Sequence, residues 1–223
     1  MRPTSSDSSP PGRDSPPPDA DAWVRIHRRT YDRMAVDYAR RIDDYAAADE
    51  AERFVRRLRA HVSHEPLIAD VGCGPGADAT LLRLAGARTL QIDLSRAMLR
   101  VATRHERSPS IQADMRRVPL RAGCVEAVWC FAALGHLPPD STVPVLREFR
   151  RIVRDGGWVY VVVRQGEGVR RADWDGLLPR CFTDLRLPGL RNALAAASFA
   201  VREHHIWRAA SGEPWLHAIA QAA

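Results

Sequence analysis

Short apolar runs alternate with segments of helical periodicity along most of this chain of 223 residues. Apolar runs of a few residues indicate buried strands, whereas apolar positions spaced three and four apart indicate one face of a helix. Strands are predicted at residues 67–71, 89–93, 111–115, 127–131, 158–163, 200–207 and 215–220, and helices at 22–45, 49–61, 77–84, 96–104, 143–153 and 188–197. This alternation is typical of an α/β fold with a parallel sheet.

The N-terminal segment differs in composition from the rest of the chain. Residues 1–21 are rich in proline, serine and aspartate and show no apolar periodicity, so we expect a disordered tail before a single domain at residues 22–223. The tail lacks the apolar core of a signal peptide, and no run approaches the roughly 18 apolar residues of a membrane span. A soluble, cytoplasmic protein with no membrane partner is therefore expected.

The segment after the first predicted strand carries three glycines at alternate positions, in the sequence Leu67-Ile-Ala-Asp-Val-Gly-Cys-Gly-Pro-Gly76. At Gly72, Gly74 and Gly76 the missing Cβ atoms allow positive φ and a close approach of backbone groups to a ligand. The loop therefore predicts a site for a nucleotide-like cofactor. The spacing Gly72-x-Gly74-x-x-Ala77 also satisfies the dinucleotide-binding fingerprint, so an NAD-binding oxidoreductase remains an alternative at this point.

Asp70 separates these two interpretations. It lies two residues before the first glycine and shares a strand face with Ile68, where a carboxylate built only for packing would lack a partner. A pyrophosphate would be repelled by this carboxylate, whereas the ammonium group of a methionine moiety would be attracted. The acid thus favours a methionine-containing cofactor over a dinucleotide.

In this context the sequence from Asp70 to Gly76 resembles motif I of the class I S-adenosylmethionine-dependent methyltransferases, in particular the small-molecule enzymes of the ubiquinone/menaquinone-methylase type. The resemblance implies a Rossmann-like, seven-stranded and mostly parallel sheet flanked by helices, with an antiparallel last strand. It implies S-adenosyl-L-methionine as cofactor, bound by Asp70 and the glycine loop. It also implies that residues 22–62 form lid helices. Residues 164–186 follow the carboxyl end of a parallel strand, where open α/β sheets bind ligands, so they are expected to form a loop beside the methyl acceptor, with a plain surface loop as the alternative.

Two further acids follow predicted strands. Asp93 lies about twenty residues beyond the glycine loop, the spacing of a ribose-binding acid, and the run from Asp93 to Leu99 resembles the second motif of the family. Leu94 is assigned to the cofactor site with it. In the family the acid at the position of Asp114 binds the adenine amino group, and the backbone N–H of the next residue, here Met115, meets a ring nitrogen.

Three side chains are candidates for the methyl end of the site. Tyr38 lies on the predicted first helix and Phe131 ends the fourth strand, so either ring could face the sulfonium through cation–π attraction. His136 follows the fourth strand and is the candidate general base, required only if the acceptor must lose a proton. No metal site is expected, because the four cysteines lack metal-like spacing and the acids form no cluster.

The net charge of +6 raises the question of a nucleic-acid partner. All 33 basic residues are arginine, which is typical of GC-rich coding sequence, and acids are interspersed among them. No basic stripe, Asn/Asp-Pro-Pro-Tyr motif or aromatic platform for a flipped base is present, so nucleic acid is not the expected substrate.

The function predicted from these observations is direct transfer of a methyl group from S-adenosylmethionine to a small-molecule acceptor. A second hypothesis is a regulatory or scaffold protein that binds the same cofactor without turnover. An RNA methyltransferase and an NAD-binding oxidoreductase are further alternatives.

Overall fold

The computed structural model describes residues 17, 19–41, 47–105, 108–174, 178–209 and 211–223. Most of the predicted tail at residues 1–21 lies outside the described residues. The described part of that segment already includes the start of the first helix, at Ala20. Residues 42–46, which contain the predicted end of this helix, also lie outside the described residues.

The predicted elements follow one another in the predicted order, and two further strands lie between the fifth predicted strand and the last predicted helix. The helices are α1 (Ala20–Arg41), α2 (Ala47–Arg59), α3 (Ala77–Leu84), α4 (Arg96–His105), α5 (Thr142–Ile152) and α6 (Leu187–Ala196). The strands are β1 (Leu67–Val71), β2 (Arg88–Asp93), β3 (Ser110–Gln112), β4 (Val125–Phe131), β5 (Val153–Arg164), β6 (Gly168–Trp174), β7 (Leu178–Asp184), β8 (Phe199–Arg208) and β9 (Pro214–Ala222).

Seven strands form the central sheet in the order β3-β2-β1-β4-β5-β9-β8. The first five pair in parallel, and β9 runs antiparallel to both of its neighbours. The predicted Rossmann-like sheet with an antiparallel last strand is therefore confirmed. The chain leaves β1 towards β2 on one side and later returns to β4 on the other, which opens a crevice at the carboxyl ends of these strands.

Apolar side chains bury both faces of this sheet. On one face Val128 lies in a cluster with Phe149 of α5 and Leu190 of α6. On the other face Trp129 lies in a second cluster with Phe54 of α2. Burial on both faces explains why the parallel strands appear in the sequence as continuous apolar runs rather than alternating patterns.

Helix α1 lies across the carboxyl ends of the strands and packs against α4 and β7. Asp19 accepts the N–H of Ala22 at 2.7 Å and so caps its first turn. Asp32 accepts a hydrogen bond from the Ser95 hydroxyl at 2.7 Å, while that hydroxyl accepts the Met98 N–H at the start of α4. These bonds fix α1 over the crevice.

Within the described residues no helix is long and apolar enough to cross a membrane.

The segment at residues 164–186 differs from the predicted loop. Its described residues form an antiparallel two-stranded sheet, β6 with β7, that packs against α1. These strands were not predicted, because the segment has no clear apolar alternation. Two-stranded sheets are marginal alone, so contacts with α1 and with residues 134–136 stabilise this hairpin.

Ser198, in the turn between α6 and β8, has a left-handed backbone conformation with φ of 61°. Replacement by glycine is expected to stabilise the protein by about 1 kcal/mol, because glycine adopts this conformation without the Cβ clash. Urea unfolding measures the difference. The neighbouring Ala197 has φ of −102°, so the control Ala197→Gly is expected to lose stability. Equal effects of the two changes would contradict strain at Ser198.

Candidate functional site

An open cavity of about 780 Å³ lies at the carboxyl ends of β1, β2 and β4 and beneath α1. The lining residues are Val24, His27, Tyr31, Tyr38, Val71, Gly72, Gly74, Ile92, Asp93, Leu94, Met98, Ala113, Asp114, Met115, Phe131, Ala132, Ala133, His136 and Leu137. Most of these side chains are apolar, and the ionisable acids Asp93 and Asp114 come from the β2 and β3 side.

A second cavity of about 930 Å³ adjoins the first beside the glycine loop. Both cavities are lined by Gly72, Gly74, Tyr38 and Phe131. Trp215, near the start of β9, lines the second cavity but not the first. The glycine loop and the two aromatic rings therefore lie where the two spaces meet.

The glycine loop follows β1 and turns under the cavity. Gly72 has φ of 77°, and a Cβ atom there would lie 2.2 Å from the Cβ of Ala133, so only glycine fits. Gly74 has φ of 53°, and its N–H donates to Asp93 Oδ2 at 2.9 Å. Gly76 has φ of 89° and packs against Ala102, but it lies outside the lining of both cavities. Gly72 and Gly74 therefore lie at the site, whereas Gly76 lies outside it and packs against α4.

Asp93 ends β2 and faces the cavity. Its Oδ2 accepts the Gly74 N–H, and its Oδ1 accepts the Ser95 N–H at 2.7 Å. Burial raises the pKa of Asp93 to about 6, although these two hydrogen bonds favour the ionised form. Leu94 lines the cavity beside it. The carboxylate therefore connects the glycine loop to the end of β2.

Asp70 is buried beneath the glycine loop and does not line either cavity. Its Oδ2 has no hydrogen-bond partner among the described protein atoms. Burial, followed by the nearby Asp78 and Asp93, raises its pKa well above the usual range. A cation or hydrogen-bond donor approaching this atom would favour the ionised form.

Asp114 and Met115 line the cavity just after β3. Asp114 Oδ2 accepts two hydrogen bonds from the Arg116 guanidinium, at 2.9 and 2.7 Å, and its Oδ1 accepts the Arg116 N–H. Arg116 also pairs with Asp21 of α1 at 2.8 Å. The predicted strand at 111–115 is shorter than expected, ending at Gln112, so both residues lie in the turn that follows.

His136 and Tyr31 form a pair in the cavity wall. The Tyr31 hydroxyl and His136 Nε2 lie 2.8 Å apart, and His136 Nδ1 has no partner among the described protein atoms. Burial, followed by the nearby His27, lowers the pKa of His136 well below its usual value, so the imidazole is neutral at pH 7. Burial also raises the pKa of Tyr31, which therefore keeps its proton.

His27, which was not predicted as a site residue, lines the cavity one helical turn before Tyr31. Its Nδ1 lies 2.9 Å from the Trp23 carbonyl oxygen, and its Nε2 lies 3.1 Å from the backbone nitrogen and 3.0 Å from the carbonyl oxygen of Cys181. Burial lowers its pKa to about 4. The spacing of His27, Tyr31 and Tyr38 on one helical face is the signal that could have identified this residue.

None of the cavity-lining residues comes from the described part of residues 164–186. This segment instead supports the histidines from behind. The Phe182 ring lies 4.7 Å from the His136 ring, and the Cys181 backbone binds His27. The proposed acceptor-side role of this hairpin is therefore indirect.

Residues 69–161 match the sequence family described as a methyltransferase domain. This part of the chain is therefore similar to a methyltransferase domain. The match begins in β1, includes the glycine loop, Asp93 and His136, and ends in β5, so it contains the parallel half of the sheet. The family predicted from motif I is confirmed.

Curated relatives share this domain. The ubiquinone biosynthesis O-methyltransferase of Chromobacterium violaceum is 36% identical over 100 residues, which are 42% of this chain and 42% of that protein. The homologous enzyme of Nitrosomonas europaea is 33% identical over 102 residues, or 43% of each chain. The chain thus matches less than half the length of these relatives.

Solved structures share the fold of the methyltransferase domain and its surroundings. The 1,6-didemethyltoxoflavin-N1-methyltransferase of Burkholderia thailandensis, with bound 1,6-didemethyltoxoflavin and S-adenosylhomocysteine, has a TM-score of 0.76 at 20% identity, covering 94% of this chain and 93% of the other. The magnesium protoporphyrin IX methyltransferase of Synechocystis PCC 6803, with bound S-adenosylmethionine, has a TM-score of 0.70 at 15% identity, covering 90% and 97%. These similarities extend the shared fold to nearly the whole chain.

Proposed function

We propose that this protein transfers a methyl group from S-adenosylmethionine to a small-molecule acceptor. The observation that carries the proposal is the contact between the glycine loop and Asp93, since Gly74 and Asp93 are hydrogen-bonded and face the same cavity. This pair offers backbone groups and a carboxylate to one ligand. The methyltransferase-domain match at residues 69–161 supports S-adenosylmethionine as that ligand.

The cavity residues fit the parts of this cofactor. Asp93 is assigned to the ribose hydroxyls, and the backbone at Gly72 and Gly74 to the methionine moiety. The unpartnered Oδ2 of Asp70 beneath the loop would hold the methionine ammonium, directly or through water. Asp114 and the backbone of Met115 would hold the adenine, with Leu94 against its ring, while Tyr38 and Phe131 lie at the junction of the two cavities.

When bound, the cofactor supplies a methyl group that its sulfonium has already activated. The protein must therefore hold the acceptor in line with that group and exclude water. Helix α1 covers the cavity, and its Tyr31 and Tyr38 reach into it. These contacts support a lid role for α1.

His136 is the group that we assign to proton transfer. It lines the cavity next to Phe131 and Ala133, and its imidazole is neutral at pH 7. A neutral imidazole can accept the proton of a hydroxyl or amine acceptor as the new bond forms. The hydrogen bond between Tyr31 and Nε2 orients the ring.

The acceptor that fits this end of the cavity is small and largely apolar. Val24, Ala133 and Leu137 line the wall near His136, and both nearby histidines are neutral. An anionic acceptor would find no lysine or arginine among the lining residues of the described cavity. We also propose that the protein works in the cytoplasm, where its four free cysteines would stay reduced.

Asp93→Ala is expected to weaken binding of S-adenosylhomocysteine by about 1–3 kcal/mol, because the ribose hydroxyls lose a buried acceptor. Isothermal titration calorimetry measures the change. Asp93→Asn keeps one side-chain oxygen and is expected to fall between the alanine variant and the unmodified protein. The exposed Asp140→Ala serves as control and should bind normally. Equal affinity of Asp93→Ala and the control would refute the ribose assignment.

A further inference from the structure

A group of potential metal ligands lies outside the proposed methyltransferase site. Glu50 of α2, His205 of β8 and His217 of β9 each offer one ligand atom within 4.8 Å of the other two. The three residues come from distant parts of the chain, so their sequence spacing gives no metal signature. The fold brings them together where α2 crosses the antiparallel edge of the sheet.

Two of these ligand atoms are already placed for a shared ion. Glu50 Oε1 and His205 Nε2 lie 3.2 Å apart. Zinc binds nitrogen and oxygen ligands at about 2.0–2.2 Å in a tetrahedron, which places neighbouring ligand atoms roughly 3.3 Å from each other. An ion can therefore bridge this pair with little movement. The third ligand atom lies within 4.8 Å of the other two.

His217 supplies an independent indication. Its side chain is buried, with 3% of the residue exposed, and its Nε2 has no partner among the described protein atoms. Tyr160 explains which nitrogen carries the proton: its hydroxyl donates to Glu50 Oε2 at 3.0 Å and accepts Nδ1–H of His217 at 2.6 Å. This network leaves the lone pair on Nε2. A metal-binding histidine usually has its other nitrogen held in this way.

Arg53 is the group that opposes a cation here. Its Nη2 donates to Glu50 Oε2 at 2.6 Å and lies 3.4 Å from His205 Nδ1. The Arg53 side chain is 40% exposed and can turn towards solvent when an ion binds. Glu50 Oε1 remains directed at His205, so the guanidinium fixes the carboxylate without occupying the oxygen that faces the site.

We propose that Glu50, His205 and His217 bind one Zn²⁺ ion per chain, with water completing the coordination. Two imidazoles and one carboxylate are a donor set that zinc uses in proteins. The ion would connect α2 to β8 and β9. The Phe131 ring, which lines the cavity, lies 5.6 Å from the His217 ring, so the metal would be separated from the cavity by one aromatic side chain. This site is independent of the proposed methyl transfer.

The test is calorimetric titration of the untagged, full-length protein with Zn²⁺ after chelator treatment and dialysis. One ion per chain with micromolar or tighter affinity is expected, together with a higher melting temperature that excess EDTA reverses. His205→Ala and the isosteric Glu50→Gln are each expected to weaken binding at least tenfold. Titration with Co²⁺ should give visible absorption of a low-coordinate site, which His205→Ala abolishes.

His204→Ala is the matched control, because His204 is the exposed neighbour of His205 on the opposite side of β8. It should bind Zn²⁺ as tightly as the unmodified protein. Absence of stoichiometric binding would overturn the proposal. Retention of full affinity in both His205→Ala and Glu50→Gln would also overturn it, because the ion would then be bound elsewhere.

Discussion

Gly72→Ala is expected to destabilise the protein by about 2–5 kcal/mol, the combined effect of left-handed strain and an added methyl group in a packed site. A Cβ atom there would lie 2.2 Å from the Ala133 Cβ, and φ at this position is 77°. Neither atom belongs to a flexible side-chain end, so the backbone after β1 or after β4 must move. Because domains have only about 5–15 kcal/mol of stability, this change should be visible in urea unfolding.

Gly74→Ala is the matched control for this prediction. Gly74 has φ of 53°, but no atom lies within 4 Å of the position of an added Cβ. Only the strain of the left-handed conformation applies, about 1–2 kcal/mol. The prediction is contradicted if the two variants unfold at the same urea concentration. Gly72→Ala should also lose cofactor affinity, because the loop that it displaces is the proposed binding surface.

His136→Ala is expected to reduce methyl transfer by a factor of about 10²–10⁴, the usual contribution of a general base. The measurement is transfer of radiolabelled methyl from S-adenosylmethionine to phenolic and N-heterocyclic compounds, using any acceptor that the unmodified protein methylates. A loss in kcat with unchanged affinity for S-adenosylhomocysteine is expected, because His136 is assigned to the acceptor rather than the cofactor.

Tyr31→Phe separates the orienting role of Tyr31 from the role of the base. This variant removes the hydroxyl 2.8 Å from His136 Nε2 but leaves the imidazole in the cavity wall. A smaller reduction in kcat than that of His136→Ala is expected. If His136→Ala keeps full turnover, the acceptor needs no base from this residue. If both variants lose cofactor affinity and stability in parallel with activity, the pair is structural.

The sheet could be predicted because short stretches of the sequence are enough to identify its parallel strands. Continuous apolar runs such as residues 67–71 and 127–131 identify buried parallel strands, and the glycines after β1 identify the tight turn. The motif order then places Asp93 at the strand end nearest the loop. The hydrogen bond from Gly74 to Asp93 is a consequence of this order, because β1 and β2 are neighbours in the sheet.

The walls of the cavity could be predicted less well, because they depend on contacts between distant segments. The sequence placed Tyr38 of α1 near the methyl end, and Tyr38 lines the cavity. The hydrogen bond between Tyr31 and His136 was not predicted, and His27 was not considered. The position of these side chains depends on how α1 packs against β7. That packing involves residues 178–184, whose sequence shows no strand periodicity.

The regular spacing of the three glycines does not show that they have different roles. Gly72, Gly74 and Gly76 all have positive φ, but their surroundings differ. Gly72 allows close packing of the β4 exit, Gly74 presents its N–H to Asp93, and Gly76 makes room for α4 through Ala102. The sequence identifies the left-handed positions, whereas only tertiary packing shows which of them faces the cavity.

The most direct test of the central claim is isothermal titration of the purified protein with S-adenosylmethionine, S-adenosylhomocysteine and NAD. We expect micromolar binding of both sulfur compounds at one site per chain and no binding of NAD, because the unpartnered Oδ2 of Asp70 lies beneath the glycine loop. Binding of NAD alone, or of none of the three compounds, would contradict the assignment of this cavity to S-adenosylmethionine.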